Sequence, residues 1–362
     1  MGSALGAGGK SHGALRFLSG WDSREASSLL LLTPHMSQLL ISSPFMLPVA
    51  LETVAELNPV FVPIGDWPKM VADFFGEKTP AWIGVDEMPA AAYEGLREGI
   101  KSGVDGSPYL DALRVQKDEY ALSRHREGAA ICHQLFKILP QLIEIGKPVK
   151  LVQAELEYEA KSRGADYMNS WLTIRPAADR PRYWPQENQA PVADNSQILL
   201  GLALTIEGHW AHGIRMGYLG ALDPRHEAFH QTVLAALDVG AAELQVGNSV
   251  ASSMSAMEER LQKCGYDKMY GPSRGFRYGH GLGLSYEDPM LTDHFPQKFG
   301  QATANAVNGE DVSLKSGMLF ELHPNLFFDG VGGAAIGDMV LVTDHGPERL
   351  TNFPRGLMKI GK

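Results

Sequence analysis

Residues Tyr278 to Pro289 read YGHGLGLSYEDP, and in this stretch His280 stands between Gly279 and Gly281. Small residues on both sides let the backbone approach a ligand closely. A lone histidine is also a common buried hydrogen-bonding group, so its meaning depends on which residues accompany it.

Two other segments place polar groups inside apolar patterns. In MLFELHPNLFF, Met318 to Phe328, alternation puts Met318, Phe320 and Leu322 on one face and Leu319, Glu321 and His323 on the other. A strand buries a carboxylate and an imidazole only when they are paired or coordinate something; an edge strand with one wet face gives the same pattern. In EGHWAHGIR, Glu207, His209, His212 and Arg215 fall within nine residues. A polar hairpin turn around Gly208 is the plainer reading there.

Outward from these segments, the 362 residues suit two domains. Up to about Leu113, the runs SLLLLT, QLLISS, PVFVPIG and AWIGVD alternate with the helical patterns WPKMVADFFGE and AAAYEGLREGI, which predicts an α/β layer domain over residues 1–114. From Leu110 a long helix is expected, burying Leu122, Ala129, Cys132, Phe136 and Leu139 and stopping at Gly146. Residues 115–362 then read as an α+β domain. It has a helix at LVQAELEYEAKSRG and a strand pair at QILLGLALTIEGHWAHGIRMGYLG. A further helix starts at the N-cap Asp223 with Pro224 at its first position, another runs from about Ser249 to Cys264, and strands follow. The Gly-rich start, MGSALGAGGKSHG, reads as a loop, or as a start that has lost an upstream strand, and lacks the apolar core of a signal peptide.

Composition narrows the partners. Lys plus Arg number 32 against 42 Asp plus Glu, and a net charge of −10 argues against nucleic acid and anionic membrane surfaces. No apolar run reaches transmembrane length. The two cysteines, Cys132 and Cys264, lie in no metal-ligand spacing and suggest no disulfide framework, so a reducing cytoplasm is expected.

The order of long helix, short helix, Gly-bearing strand pair, GHGLGL, GMLFELHPNLF and DMVLVTDHGPERLTNFPRG resembles the superfamily of creatinase, aminopeptidase P, prolidase and methionine aminopeptidase. ALRFLSGWDSREASSLLLL is similar to the opening of that superfamily's smaller N-terminal domain. The resemblance implies a pita-bread C-terminal domain preceded by a creatinase-type α/β domain, and a homodimer.

It also implies a ligand set. The superfamily's metallopeptidases hold two ions with two aspartates, one histidine and two glutamates. Position by position, these fall on Gly201, His212, His280, His323 and Gly337. Four of the five have changed. Both positions particular to the second ion are glycine, whereas the three around the first read His212, His280 and His323. Three neutral imidazoles suit one divalent transition metal, zinc or iron. His209 is the fallback if the register is off by three, and Glu321 and Glu207 are candidate acceptors for imidazole N–H groups.

The expected activity is cleavage, by hydrolysis, of a C–N bond in a small amino-acid- or peptide-like substrate at this single metal. Glu287, where the peptidases carry a substrate-contacting histidine, is the candidate proton carrier, with a solvated turn before Pro289 as the plainer reading. Arg24 matches an arginine that creatinase sends to its partner subunit's substrate. Arg182, Tyr183, Arg215 and Glu321 complete the candidate substrate contacts, with Trp184, Trp210 and Tyr278 as apolar walls. Three alternatives stand beside this reading: a mononuclear Fe(II) oxygenase on the same histidines, a metal-free creatinase-like hydrolase or lyase, and an inactive peptide-binding module. Against simple creatinase chemistry, no histidine stands in DRPRYWPQENQAP, and Ile214 occupies the place of its guanidinium-binding glutamate. No residue specifies the substrate side chain.

Overall fold

The computed structural model describes residues 10–23, 26–85, 88–179, 189–264, 278–286, 313–328 and 332–361. The chain divides into two compact units. One gathers the described residues up to Val115 and the segment that begins at Gly283; the other runs from Gln116 to Leu282 and takes in the described residues from Ser313 onward.

In the first unit, helix α1 (Lys10–Ser19) occupies part of the Gly-rich start that was expected to be loop, and β1 (Ser28–Leu32) pairs antiparallel with β2 (Ser37–Ile41). Helix α2 (Leu47–Thr53) then crosses over to β3 (Pro59–Phe61), which lies parallel to β2. Successive residues of β2 point to opposite faces. Leu40 joins a cluster with Trp67, Trp82 and Leu96, whereas Leu39 and Ile41 join Leu15, Trp21 and Ala50. Burial on both faces explains why these strands are continuously apolar. Helix α3 (Trp67–Phe75), β4 (Ala81–Trp82), α4 (Ala90–Ser102), β5 (Val104–Asp105) and α5 (Ser107–Arg114) complete the layer.

The second unit opens with α6 (Glu119–Leu142) and α7 (Val149–Ser162). The single long helix expected from Leu110 is therefore two. Asp118 caps a fresh helix by accepting from the Ala121 N–H, and the Lys117 N–H turns away to the Gly317 carbonyl. Strands β6 (Tyr167–Pro176), β7 (Ser196–Ile206) and β8 (His209–Leu219) form an antiparallel sheet under α6 and α7. The β7–β8 turn, Glu207 and Gly208, has both residues at positive φ (48° and 80°), the two-residue connection whose twist matches its strands. Helices α8 (Pro224–Ala242) and α9 (Val250–Lys263) pack together; Asp223 caps the first as its sequence announced, and the Ser249 side chain caps the second by accepting from the Ala251 N–H.

A second sheet, in the order β14-β13-β10-β9, comprises β9 (Gly279–Gly281), β10 (Leu319–Leu322), β13 (Asp338–Thr343) and β14 (Gly346–Arg349); β11 (Asn325–Phe328) and β12 (Gly332–Ala335) form a separate hairpin. GMLFELHPNLFF is thus not one strand. Pro324, which cannot donate to a ladder, separates β10 from β11. The last strand, β15 (Met358–Ile360), adds parallel to β8. Ile214 of β8 and Gly337, just before β13, exchange backbone hydrogen bonds of 3.2 and 3.0 Å and tie the two sheets together. Among the described residues, no helix is long and apolar enough to cross a membrane.

Candidate metal centre

At that seam four ionisable side chains meet. His212 comes from β8, His280 from β9, Glu321 from β10 directly opposite His280, and His323 from the residue after β10. The close approach of β9 depends on Gly279, which has φ 153° and whose Cβ, if present, would overlap the Glu321 backbone carbonyl. Glu321 Oε2 lies 3.4 Å from His212 Nδ1, 3.3 Å from His323 Nε2 and 4.0 Å from His280 Nε2. The three imidazole centroids are 5.4 to 6.0 Å apart. His280 Nδ1 is 3.0 Å from the Gly281 carbonyl, a contact that favours a proton on Nδ1 and leaves Nε2 as the lone-pair nitrogen towards Glu321.

All four side chains are buried. Burial pushes the Glu321 carboxyl up to about 8; His323 and Arg215 oppose the rise and Asp338 adds to it. Burial lowers His323 to about 4, against the pull of Glu321, and lowers His212 to about 3. These two imidazoles are therefore neutral at pH 7. Among the described residues, neither Glu321 oxygen has a hydrogen-bond partner. A buried carboxylate without donors is costly unless a cation joins it, so the donor set fits a divalent metal. The ligand atoms of His212, His280 and Glu321 all come within 4.8 Å of one another.

Glu321, expected as an acceptor behind three histidine ligands, itself groups with the ligand atoms of His212 and His280, and His323 Nε2 stands beside its Oε2. Arg215 requires a correction as a substrate contact. Its five N–H groups are taken by the carbonyls of Pro354 (3.0 Å), Ile214 (2.8 Å), Gly337 (2.7 Å) and Phe353 (3.1 Å) and by Asp338 Oδ1 (2.7 Å), leaving none for a ligand. Glu207 cannot serve an imidazole of the centre either: it sits exposed at the hairpin turn, hydrogen-bonded to Tyr120 and paired with Arg124 at 3.2 Å. His209 packs at the same end, against His125 and Tyr120. Trp210 stands edge-on to Tyr167, and Tyr278 contributes its carbonyl to the His323 N–H. Arg24, Arg182, Tyr183, Trp184 and Glu287 lie outside the described residues.

One residue of the centre carries no mark of its place in the sequence. Trp171 of β6 pairs across the ladder with Gly201 and stands edge-on to His212, centroids 5.2 Å apart. Its signal, a large aromatic opposite a strand glycine, exists only once the β6–β7 register is known.

The model of metallopeptidase family M24 matches residues 123–344. The chain is 24% identical over 274 residues to the putative dipeptidase YkvY of Bacillus subtilis (strain 168), covering 72% of this chain and 69% of that one. It is 23% identical over 300 residues to the Xaa-Pro dipeptidase of Lactobacillus helveticus, covering 80% and 76%. The crystal structure of the X-Pro aminopeptidase from Thermotoga maritima MSB8 superposes with a TM-score of 0.79 at 19% identity, covering 96% of this chain and 92% of that one. With the two sheets, their flanking helices and the His280 seam in place, the match over residues 123–344 leads to one conclusion: the chain belongs to metallopeptidase family M24 and has its pita-bread fold.

Proposed function

We propose that the protein hydrolyses a C–N bond in a small amino-acid- or peptide-like substrate, using one divalent transition cation, zinc or iron, held by His212, His280, His323 and Glu321. The observation that carries this reading is the Glu321 carboxyl group, buried among three imidazoles with no hydrogen-bond partner among the described residues. The dipeptidase names of its relatives support the substrate class.

Bound there, such a cation supplies Lewis acidity to a carbonyl and acidity to a water. The chain's own groups prepare the place. The Gly281 carbonyl selects the His280 tautomer, and Asn325 Nδ2, 3.5 Å from His323 Nδ1, stands beside the ring that flanks Glu321. The Trp171 indole forms a dry wall against His212. Glu321 releases its proton when the site fills, because only the carboxylate binds a metal. Glu287 is assigned the transfer of the substrate's proton, and Arg24, Arg182 and Tyr183 the grip on the substrate, in a cytoplasmic homodimer; these roles rest on the family resemblance.

The test is metal analysis of protein purified without chelator, with the His323→Ala variant, followed by hydrolysis assays on a panel of dipeptides that includes Xaa-Pro substrates. About one zinc or iron per chain, reduced by the substitution, and release of free amino acids are expected. Metal far below one per chain and unchanged by His323→Ala would sink the proposal. A second reading, an Fe(II) oxygenase, is favoured by the ligand type, since two histidines and one carboxylate also hold mononuclear non-haem iron. Iron in the centre with oxygen consumed on substrate would select it.

A further inference from the structure

The two positions where the resemblance expects further ligands, Gly201 and Gly337, do not face empty space. A Cβ on Gly201 would lie 2.6 Å from Cε3 of Trp171 and 3.4 Å from Cζ3. A Cβ on Gly337 would overlap Glu321 Oε1 and come within 3.1 Å of Ile214 Cβ. Each missing side chain is replaced in volume by a residue from a neighbouring strand, an indole in one case and a carboxylate in the other.

We propose that Trp171 fixes the metal count of the centre at one, by filling with its indole the volume that a carboxylate at position 201 and a second cation would need. The proposal deepens the single-cation reading above and rests on it. An indole offers no lone pair to a divalent ion, since its N–H is a donor only. The ring also holds its place firmly. Gly201 is its direct cross-strand neighbour, the bare backbone beneath it accommodates the ring, and His212 meets it at 85°. Glu321 is the complement of this exclusion: its carboxylate occupies the ground of position 337 and serves the one remaining ion. An aromatic over a strand glycine also stabilises the sheet, and that role alone predicts no change in metal count.

The test is titration of chelator-stripped full-length protein with Co2+, followed by calorimetry and by elemental analysis after desalting. Wild type is expected to take one equivalent. Gly201→Asp alone should lower the melting temperature, because the new side chain meets the indole. The pair Trp171→Ala with Gly201→Asp should recover much of that loss and take a second, weaker equivalent. Trp171→Asp, which brings a carboxylate into the same volume from the opposite strand, gives an independent route to the second equivalent if the pair does not fold. Two equivalents in wild type, or one equivalent in both folded variants, would overturn the role given to Trp171. No equivalent in wild type would instead overturn the cation centre itself, so the two failures are distinguishable.

Discussion

Glu321 Oε2 stands 3.3 Å from His323 Nε2 and 3.4 Å from His212 Nδ1, and neither imidazole is charged at neutral pH. A carboxylate in that position is frustrated without a cation and satisfied with one, so neutralising it should act in opposite directions on the two forms. Glu321→Gln keeps the volume and removes the charge. Cation affinity is expected to fall by more than the roughly 10–100-fold that loss of an outer hydrogen-bond partner costs. The stripped variant is expected to melt higher than stripped wild type at pH 8.5. Calorimetry and thermal melts read the two effects, and a stripped variant that melts lower would contradict the frustrated-anion account.

The pH dependence of the stripped protein follows from the same groups. Glu321, raised to about 8 from 4.5, contributes stability that is complete below pH 4.5 and is lost as pH climbs through 8. His323 and His212, lowered to about 4 and about 3 from 6.5, contribute stability that is complete above pH 6.5 and is lost as pH falls through those values. From pH 4.5 to 6.5 two histidine slopes outweigh one carboxyl slope; above 6.5 only the carboxyl changes. The melting temperature in chelator should therefore peak near pH 6.5. Saturating zinc, which binds the deprotonated carboxylate, should abolish the decline between pH 6.5 and 8. A rise over that interval in chelator would refute the assignment to Glu321.

Much of this centre was legible in the residues because its parts obey local rules. His280 is announced by flanking glycines, one of which the β9–β10 contact requires, and Glu321 and His323 by a shared face in an apolar strand. The cap Asp223 likewise marks its helix. What stayed hidden depends on register between segments far apart in sequence. Trp171 and Gly201 are 30 positions apart and meet only through the β6–β7 ladder. Arg215 looked like a ligand-binding cation because its five acceptors, four of them backbone carbonyls, leave no trace in sequence.

Asp338 is fully buried and receives Arg215 at 2.7 Å, Arg355 at 2.6 Å and Arg349 at 3.7 Å. Asp338→Asn would leave three guanidinium groups around a neutral amide, and removing one partner of a buried pair costs about 3–5 kcal/mol. Chemical denaturation should show a loss of that order. Were Arg215 instead a substrate contact, Arg215→Lys would raise KM at unchanged stability; the expected result is lost stability, because one ammonium cannot reach five acceptors.

Two effects oppose each other behind the strand that carries His212. Gly128 lies in α6 where the helix presses on β8, and a Cβ there would be 2.6 Å from the Ala211 Cβ. In an open helix, replacing this glycine by alanine would gain about 1 kcal/mol. Here the added methyl meets Ala211, the residue before His212, and overpacking a close interface costs about 1–3 kcal/mol. The clash should win. Gly128→Ala is expected to lower the melting temperature and to weaken cation binding by displacing His212, and Gly128→Ala with Ala211→Gly should restore both. A single variant more stable than wild type would mean that α6 can withdraw from β8 without strain, and the helix would then not be what holds His212 in place.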